Sequence, residues 1–218
     1  LNLTYRMRTQ FTDVSQFASG LVLNNYNSLF SGSPELQSAL SHNINLSYYS
    51  FNMFNYTNVF ANINYNKSID NIRTVSVFNP GSVIRVSTPF NSNFADESLT
   101  ASGRYQRTFG KLRGSVRANL NYSKFNQFIQ NRRSINESFS QTYTAQLRTN
   151  FRTAPNVDLS YRHTIQDNNL GANATKFFTK SPSIEIDALF LKSFTFRTDY
   201  SYNDFSDEQS SINTYEFW

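Results

Sequence analysis

The sequence predicts an all-β protein, a run of long antiparallel strands folded up and down whose alternate residues meet an apolar and a wet environment. Three observations predict it. Period-2 alternation of apolar and polar residues recurs from end to end, with helical spacing nowhere along the chain. Aromatic residues make up 16% of the 218 positions, 13 Tyr and 21 Phe, although only 39% are hydrophobic, 28 are Asn and mean hydropathy is -0.51. Connections alternate between short and long. Together these fit the wall of a transmembrane β-barrel, greasy outside and polar within. The competing readings are a β-sandwich or a disordered aromatic-polar segment.

The strands follow in order. Leu1, Leu3, Tyr5 and Met7 alternate with polar residues, and residues 42–50 set Ile44, Leu46 and Tyr48 against Asn43, Asn45 and Ser47. Val59, Ala61, Ile63 and Tyr65 oppose Phe60, Asn62, Asn64 and Asn66. Leu99, Ala101, Gly103 and Tyr105 oppose Thr100, Ser102, Arg104 and Gln106, and Val116, Ala118, Leu120 and Tyr122 oppose Ser115, Arg117, Asn119 and Asn121. Tyr143, Ala145, Leu147 and Phe151 alternate with Thr144, Gln146, Arg148 and Asn150; Val157, Leu159 and Tyr161 do so with Asp158, Ser160 and Arg162. Ile184, Ile186 and Ala188 oppose Glu185 and Asp187, while Phe194, Phe196, Tyr200 and Tyr202 oppose Thr195, Arg197, Asp199 and Ser201. With a final segment over 212–218, this makes about nine or ten strands, every connection joining sequence neighbours.

Short turns are expected at 51–55, 109–111, 153–156 and 190–193, and longer links at 10–41, 78–82, 130–136, 167–175 and 206–211. In outer-membrane barrels the short turns are periplasmic and the long loops extracellular. In that orientation Tyr48, Tyr105, Phe151 and Phe194 fall toward the periplasmic ends of their strands, and Tyr65, Tyr122, Tyr143, Tyr161 and Tyr202 toward the outer ends. Amphipathic rings are stable where hydrocarbon meets headgroup, so these tyrosines are expected to form two girdles. The stretches 56–77 and 83–108 exceed the roughly 9–11 residues that cross a bilayer, which predicts one tall hairpin projecting beyond it.

Other classes lack their signatures. No Cys is present for a disulfide framework, a thiolate nucleophile or a Cys-ligated zinc. Net charge is +5, yet the 20 Lys and Arg are dispersed and only Arg132 and Arg133 adjoin, so no nucleic-acid partner is expected. No uninterrupted apolar run approaches the roughly 18 residues of a membrane helix. The chain begins within an alternating pattern rather than with a leader, and is expected to be an internal piece of a larger barrel, residues 1–218 forming one partial barrel domain.

No catalytic constellation is expected, and no cofactor. His42 and His163 stand apart, without paired-ligand spacing, and the 7 Gly form no phosphate loop or nucleophile elbow. A hydrolase barrel would need Ser, His and an acid on neighbouring strands, and neither His accompanies such a set. Glu185 and Asp187 share a strand face, with Arg197 on the next strand placed to neutralise them. The candidate site residues are the arginines of polar parity. Arg104, Arg113, Arg117, Arg148, Arg162 and Arg197 all fall there, with Asp158, Glu185, Asp187 and Asp199. They read either as a solvated salt-bridge lattice or, for Arg104, Arg117, Arg148, Arg162 and Arg197, as contacts to a plug or an anionic solute. If the 109–111 turn closes symmetrically, Arg104 and Arg117 lie opposite one another, and directly opposed like charges destabilise a strand pair.

One segment adds a resemblance. The runs Asp13-Val14-Ser15-Gln16-Phe17, Asn24-Asn25-Tyr26 and Gly32-Ser33-Pro34-Glu35-Leu36, leading into the strand from His42 to Tyr48, resemble the barrel of Bacteroidetes-type outer-membrane receptors related to TonB-dependent transporters. That family commonly carries Gly-Asn-Pro-x-Leu before a strand; Ser33 stands where Asn is usual. Asn91-Ser92-Asn93 and Tyr215-Glu216-Phe217-Trp218 resemble further landmarks. The resemblance implies a barrel of about 22 strands filled by a plug, in the bacterial outer membrane. Its implied partners are lipid, the remaining strands, the plug domain and the TonB system, and its implied function is receptor-mediated uptake. A structural or assembly-associated barrel without its own solute is the alternative.

Overall fold

The computed structural model of the chain describes residues 1–78, 84–129, 132–152, 155–171, 173–190, 194–208 and 211–217. Along the chain they form β1 (Asn2–Gln10), α1 (Val14–Phe17), β2 (Leu21–Asn25), β3 (Ser28–Ser31), β4 (Ala39–Asn52), β5 (Thr57–Ile69), β6 (Ile72–Phe78) and β7 (Arg85–Asn91). Then come β8 (Asp96–Phe109), β9 (Leu112–Ile129), β10 (Arg132–Thr149), β11 (Asn156–Leu170), β12 (Asn173–Phe190), β13 (Phe194–Asp207) and β14 (Ser211–Phe217). The all-β, predominantly antiparallel expectation holds. Ten strands make one sheet in the order β1-β4-β5-β8-β9-β10-β11-β12-β13-β14. Among the described residues its edges β1 and β14 do not pair, so the sheet is open.

The expectation that every connection joins sequence neighbours is overturned. Between β1 and β4, and again between β5 and β8, the chain leaves the main sheet to build a second one, ordered β2-β3-β7-β6, in which β3 and β7 run parallel. The predicted loop over 10–41 therefore contains α1, β2 and β3. The predicted tall hairpin is broken where Asp70 adopts φ 56 and where residues 92–95 leave the strand. Asp tolerates this left-handed conformation better than most residues, and the break turns β6 and β7 out of the main sheet. The loops expected at 130–136 and 167–175 are mostly strand: β9 and β10 pair out to Ile129 and Arg132, and β11 and β12 to Leu170 and Asn173. Ser134, Asn136, Asn168 and Asn169 pair through backbone there like any other residue. The expected links at 78–82 and 206–211, the turns at 153–156 and 190–193, and Trp218 lie partly or wholly outside the described residues.

The second sheet is fastened at both of its entries. Asp13 caps α1 by accepting from the Ser15 backbone N at 2.9 Å and from its Oγ at 2.8 Å, and these bonds hold its carboxyl below the ordinary carboxylate value. The 32–36 element then closes over the helix: Gly32 N donates to Ala18 O at 3.1 Å and Ser33 N to Gln16 O at 2.7 Å. A Cβ on Gly32 would stand 2.5 Å from both the Ala18 and the Gln16 carbonyl oxygens, so the approach requires glycine. Gly32→Ala is expected to cost about 1–3 kcal/mol through this overpacking, read as a lower urea midpoint and faster proteolysis within 10–40. Gly103→Ala, whose Cβ would meet nothing within 4 Å, should change neither.

At the other entry Asp96 is the hub. Its Oδ1 accepts from Asn126 N at 2.9 Å and Asn126 Nδ2 at 3.2 Å, and its Oδ2 from Asn71 Nδ2 at 2.7 Å and from the Arg73 guanidinium. Asn126 is 1% exposed, receives Arg133 Nε on its Oδ1 at 2.8 Å and donates to Ala95 O at 3.0 Å. Phe128 packs edge-on against Phe90, centroids 5.0 Å apart, and Arg133 lies 3.5 Å over the Phe94 ring. The Asn91 side chain ties the Asp70 carbonyl to the Gln37 backbone. The small sheet is thereby clamped onto the β9 end of the large one, which places it beyond the alternating belt.

Candidate functional site

Directly opposed residues of an antiparallel pair share a face, so the strand register sorts both surfaces of the large sheet into rows. On one face runs Leu3-Leu46-Ile63-Ala101-Leu120, and beside it Tyr5-Ile44-Tyr65-Leu99-Tyr122-Phe139. The next row outward is charged: Lys67, Glu97, Lys124 and Glu137 alternate across four strands, with Lys67 Nζ 3.2 Å from Glu97 and Lys124 Nζ 3.0 Å from Glu137. On the other side of the belt, Tyr105 shares its row with Val116, Ala145 and Tyr161. Tyr48 and Tyr143 share an intermediate row through Ala61, Gly103 and Ala118. The tyrosines expected in two girdles thus lie on one face, along lines oblique to the rows. Tyr202 lies on β13 opposite Glu216. Measured from the Tyr65-Leu99-Tyr122-Phe139-Asp167-Lys176 row, Thr57, Phe109 and Phe190 end their strands successively further away. That stagger accompanies strands tilted to a barrel axis.

Among the described residues nothing packs as a second layer over this face. Among the described residues the buried hydrophobic side chains are Leu36, Ala39 and Ala188, whereas Val116 is 56% and Leu159 45% exposed. Ile44, Ile63 and Leu147 are likewise exposed, and Leu46, Val59, Leu120 and Ile186 half-buried. A two-sheet sandwich would have buried this set. A hollow of about 740 Å³ also lies here, around Gly114 and between Tyr105, Phe109, Leu147, Leu159 and Tyr161.

The opposite face is polar and its arginines fall into two groups. Toward the short turns, Arg113 and Arg148 share a row with Asp158, Glu185 and Asp199. Arg148 Nε is 3.8 Å from Asp158; Arg197 Nε is 2.5 Å from Asp187 and 3.5 Å from Glu185. Gln146 Nε2 donates to both Asp158 oxygens. The expected neutralisation of Glu185 and Asp187 by Arg197 is therefore present. A row of Asn58, Gln106, Ser115, Gln146, Ser160 and Ser183 follows, without charge. Beyond it lies Tyr49-Phe60-Arg104-Arg117-Thr144-Arg162-Ser181. Arg104 and Arg117 are direct partners, as the symmetric turn predicts, and among the described residues no carboxylate pairs with either, or with Arg162. Arg104 donates to Gln106. The next row, Ser47-Asn62-Ser102-Asn119-Thr142-Thr164, is again neutral.

Against protein-family models, curated proteins and solved structures, the chain matches none. Its functional reading therefore rests on these two faces. His42 Nδ1 shares a hydrogen bond of 2.8 Å with the Tyr5 hydroxyl, and His163 stacks on Phe178. Three groups escaped the sequence reading: the charged row Lys67-Glu97-Lys124-Glu137, the Asp96 hub, and Tyr49, which shares a polar-face row with Phe60. The first had a usable signal, since each charge interrupts the apolar parity two residues from Tyr65, Leu99, Tyr122 and Phe139 in turn.

Proposed function

We propose that this chain is wall of a bacterial outer-membrane receptor-transporter, part of a larger antiparallel β-barrel with a plug, serving TonB-dependent uptake of a solute. The observation that carries the reading is the uncovered apolar face, bordered by tyrosines and closed by the Lys67-Glu97-Lys124-Glu137 row. In water such a face would aggregate; in a bilayer it is solvated by acyl chains and its charged border by headgroups. The dimensions agree. From Glu97 to Arg107 along β8 is roughly 33 Å at ~3.3 Å per residue, and a tilt of about 40° brings this to about 25 Å, the height of a barrel's apolar band. The resemblance of the 13–48 segment supports the receptor class, and the sheet clamped beyond the charged border gives the outer end a folded surface. A structural barrel without a solute of its own is favoured by one feature, the Arg148-Asp158 and Arg197-Asp187 pairs, which cross-link neighbouring strands.

The chain contains no Cys, so single cysteines report cleanly. With a fluorophore at Leu120→Cys or Ile63→Cys in the intact protein in liposomes, quenchers carried on lipid tails should reduce emission strongly. At Thr142→Cys on the other face they should not. Equal quenching at all three positions would remove the membrane-wall reading.

A further inference from the structure

Resting on the membrane-wall reading, we propose that Arg104, Arg117 and Arg162 form a binding strip for a multiply charged oxyanion solute on the polar, lumen-facing side of the sheet. Arg104 and Arg117 are directly opposed across β8 and β9, and Thr144 alone separates Arg117 from Arg162 in the same row. Like charges so placed repel, and nothing among the described residues compensates them. In the neighbouring zone Arg113 and Arg148 are likewise opposed, but there the row itself holds carboxylates: Asp158 is within 4 Å of Arg148, and Asp187 within 4 Å of Arg197. A wall that needed arginine only for stiffness would pair these three in the same way.

The strip also has a receptacle. Arg104 and Arg117 line one pocket of about 270 Å³ with Phe60, Ser102, Gly103 and Asn119. Its size suits one or two oxyanion groups rather than a helix or strand of another protein segment. Guanidinium forks bind phosphate, sulfate or carboxylate bidentately, the Ser102 and Asn119 side chains supply neutral donors, and Phe60 walls off water on one side. From Arg104 to Arg162 is three strand spacings, roughly 14 Å at ~4.8 Å each. The geometry therefore favours a solute with charges spread over that length above a single oxyanion.

The test uses the intact protein in detergent micelles, with inorganic phosphate and tripolyphosphate as probes in titration calorimetry. Tripolyphosphate should bind more tightly than phosphate and weaken as salt rises. The Arg104→Gln/Arg117→Gln double variant should weaken both probes at least about tenfold, the loss of two charge-assisted contacts. Arg162→Gln should weaken tripolyphosphate alone, and Arg197→Gln, in the paired zone, neither. Unchanged affinity in the double variant, or an equal loss in Arg197→Gln, overturns the proposal. So does absence of binding by protein that passes the lipid-quenching test, the result expected if a protein carboxylate already occupies the arginines. Failure of the quenching test itself removes the membrane-wall reading instead.

Discussion

On the proposed membrane-wall reading, Leu120→Arg is expected to destabilise the protein in liposomes by about 2–4 kcal/mol, the cost of a guanidinium near the bilayer midplane on a barrel's lipid face. Leu120 continues the Leu3-Leu46-Ile63-Ala101 row on β9, one row inside the Tyr65-Tyr122 line. Thr142→Arg, on the other face of the adjoining strand, places the same side chain against water and should cost far less. Urea titrations of the protein in liposomes, read by far-UV circular dichroism and by heat-dependent gel mobility, separate the two. A large loss for Thr142→Arg with none for Leu120→Arg would reverse the assignment of faces. Similar small losses for both would place neither face in lipid.

The second large effect is expected at Asp96. Its carboxylate serves four donors on three segments, with side-chain exposure of 17% against 33% for Arg73. Asp96→Ala leaves the Arg73 guanidinium and the Asn126 amide without their acceptor, so a loss of about 3 kcal/mol is expected. The loss should be local. Residues 70–95 should become protease-sensitive and their amides exchange faster, while the strands from β9 to β13 keep their protection. Asp96→Asn, which retains one acceptor oxygen but not the charge, should fall between. Uniform loosening of the whole sheet would mean that the small sheet is integral to the wall rather than clamped onto it.

Alternation was legible because a strand's two faces differ whatever its partners are, and Ile63 and Asn64 reveal their parity without knowledge of β4 or β8. Register within a tight hairpin was legible for a similar reason. Gly110, at φ 60, and Lys111 close a two-residue turn, and once that turn is set every partner up to Glu97 and Lys124 follows, Arg104 opposite Arg117 included. The strand ends at 130–136 and 167–175 were misread because Asn and Ser, though frequent in loops, pair through backbone as well as other residues, so composition there does not distinguish loop from strand.

The sequence by itself determined the fold class, the strand parity, the face on which each arginine lies and the symmetric pairing about residues 110–111, since all of these depend on contacts near in the chain or on period 2. Only the tertiary structure decided three other things. β2, β3, β6 and β7 build a second sheet, which rests on a parallel pairing of β3 with β7 that local pattern cannot specify. Asp96, indistinguishable in sequence from a loop acid, gathers donors from β6 and β9 because the break at Asp70 folds those segments over it. And of the six arginines read on the polar parity, Arg148 and Arg197 meet carboxylates whereas Arg104, Arg117 and Arg162 share a row with none. Charge compensation across a sheet depends on which strands are neighbours and at what offset, and that offset accumulates over every turn between them.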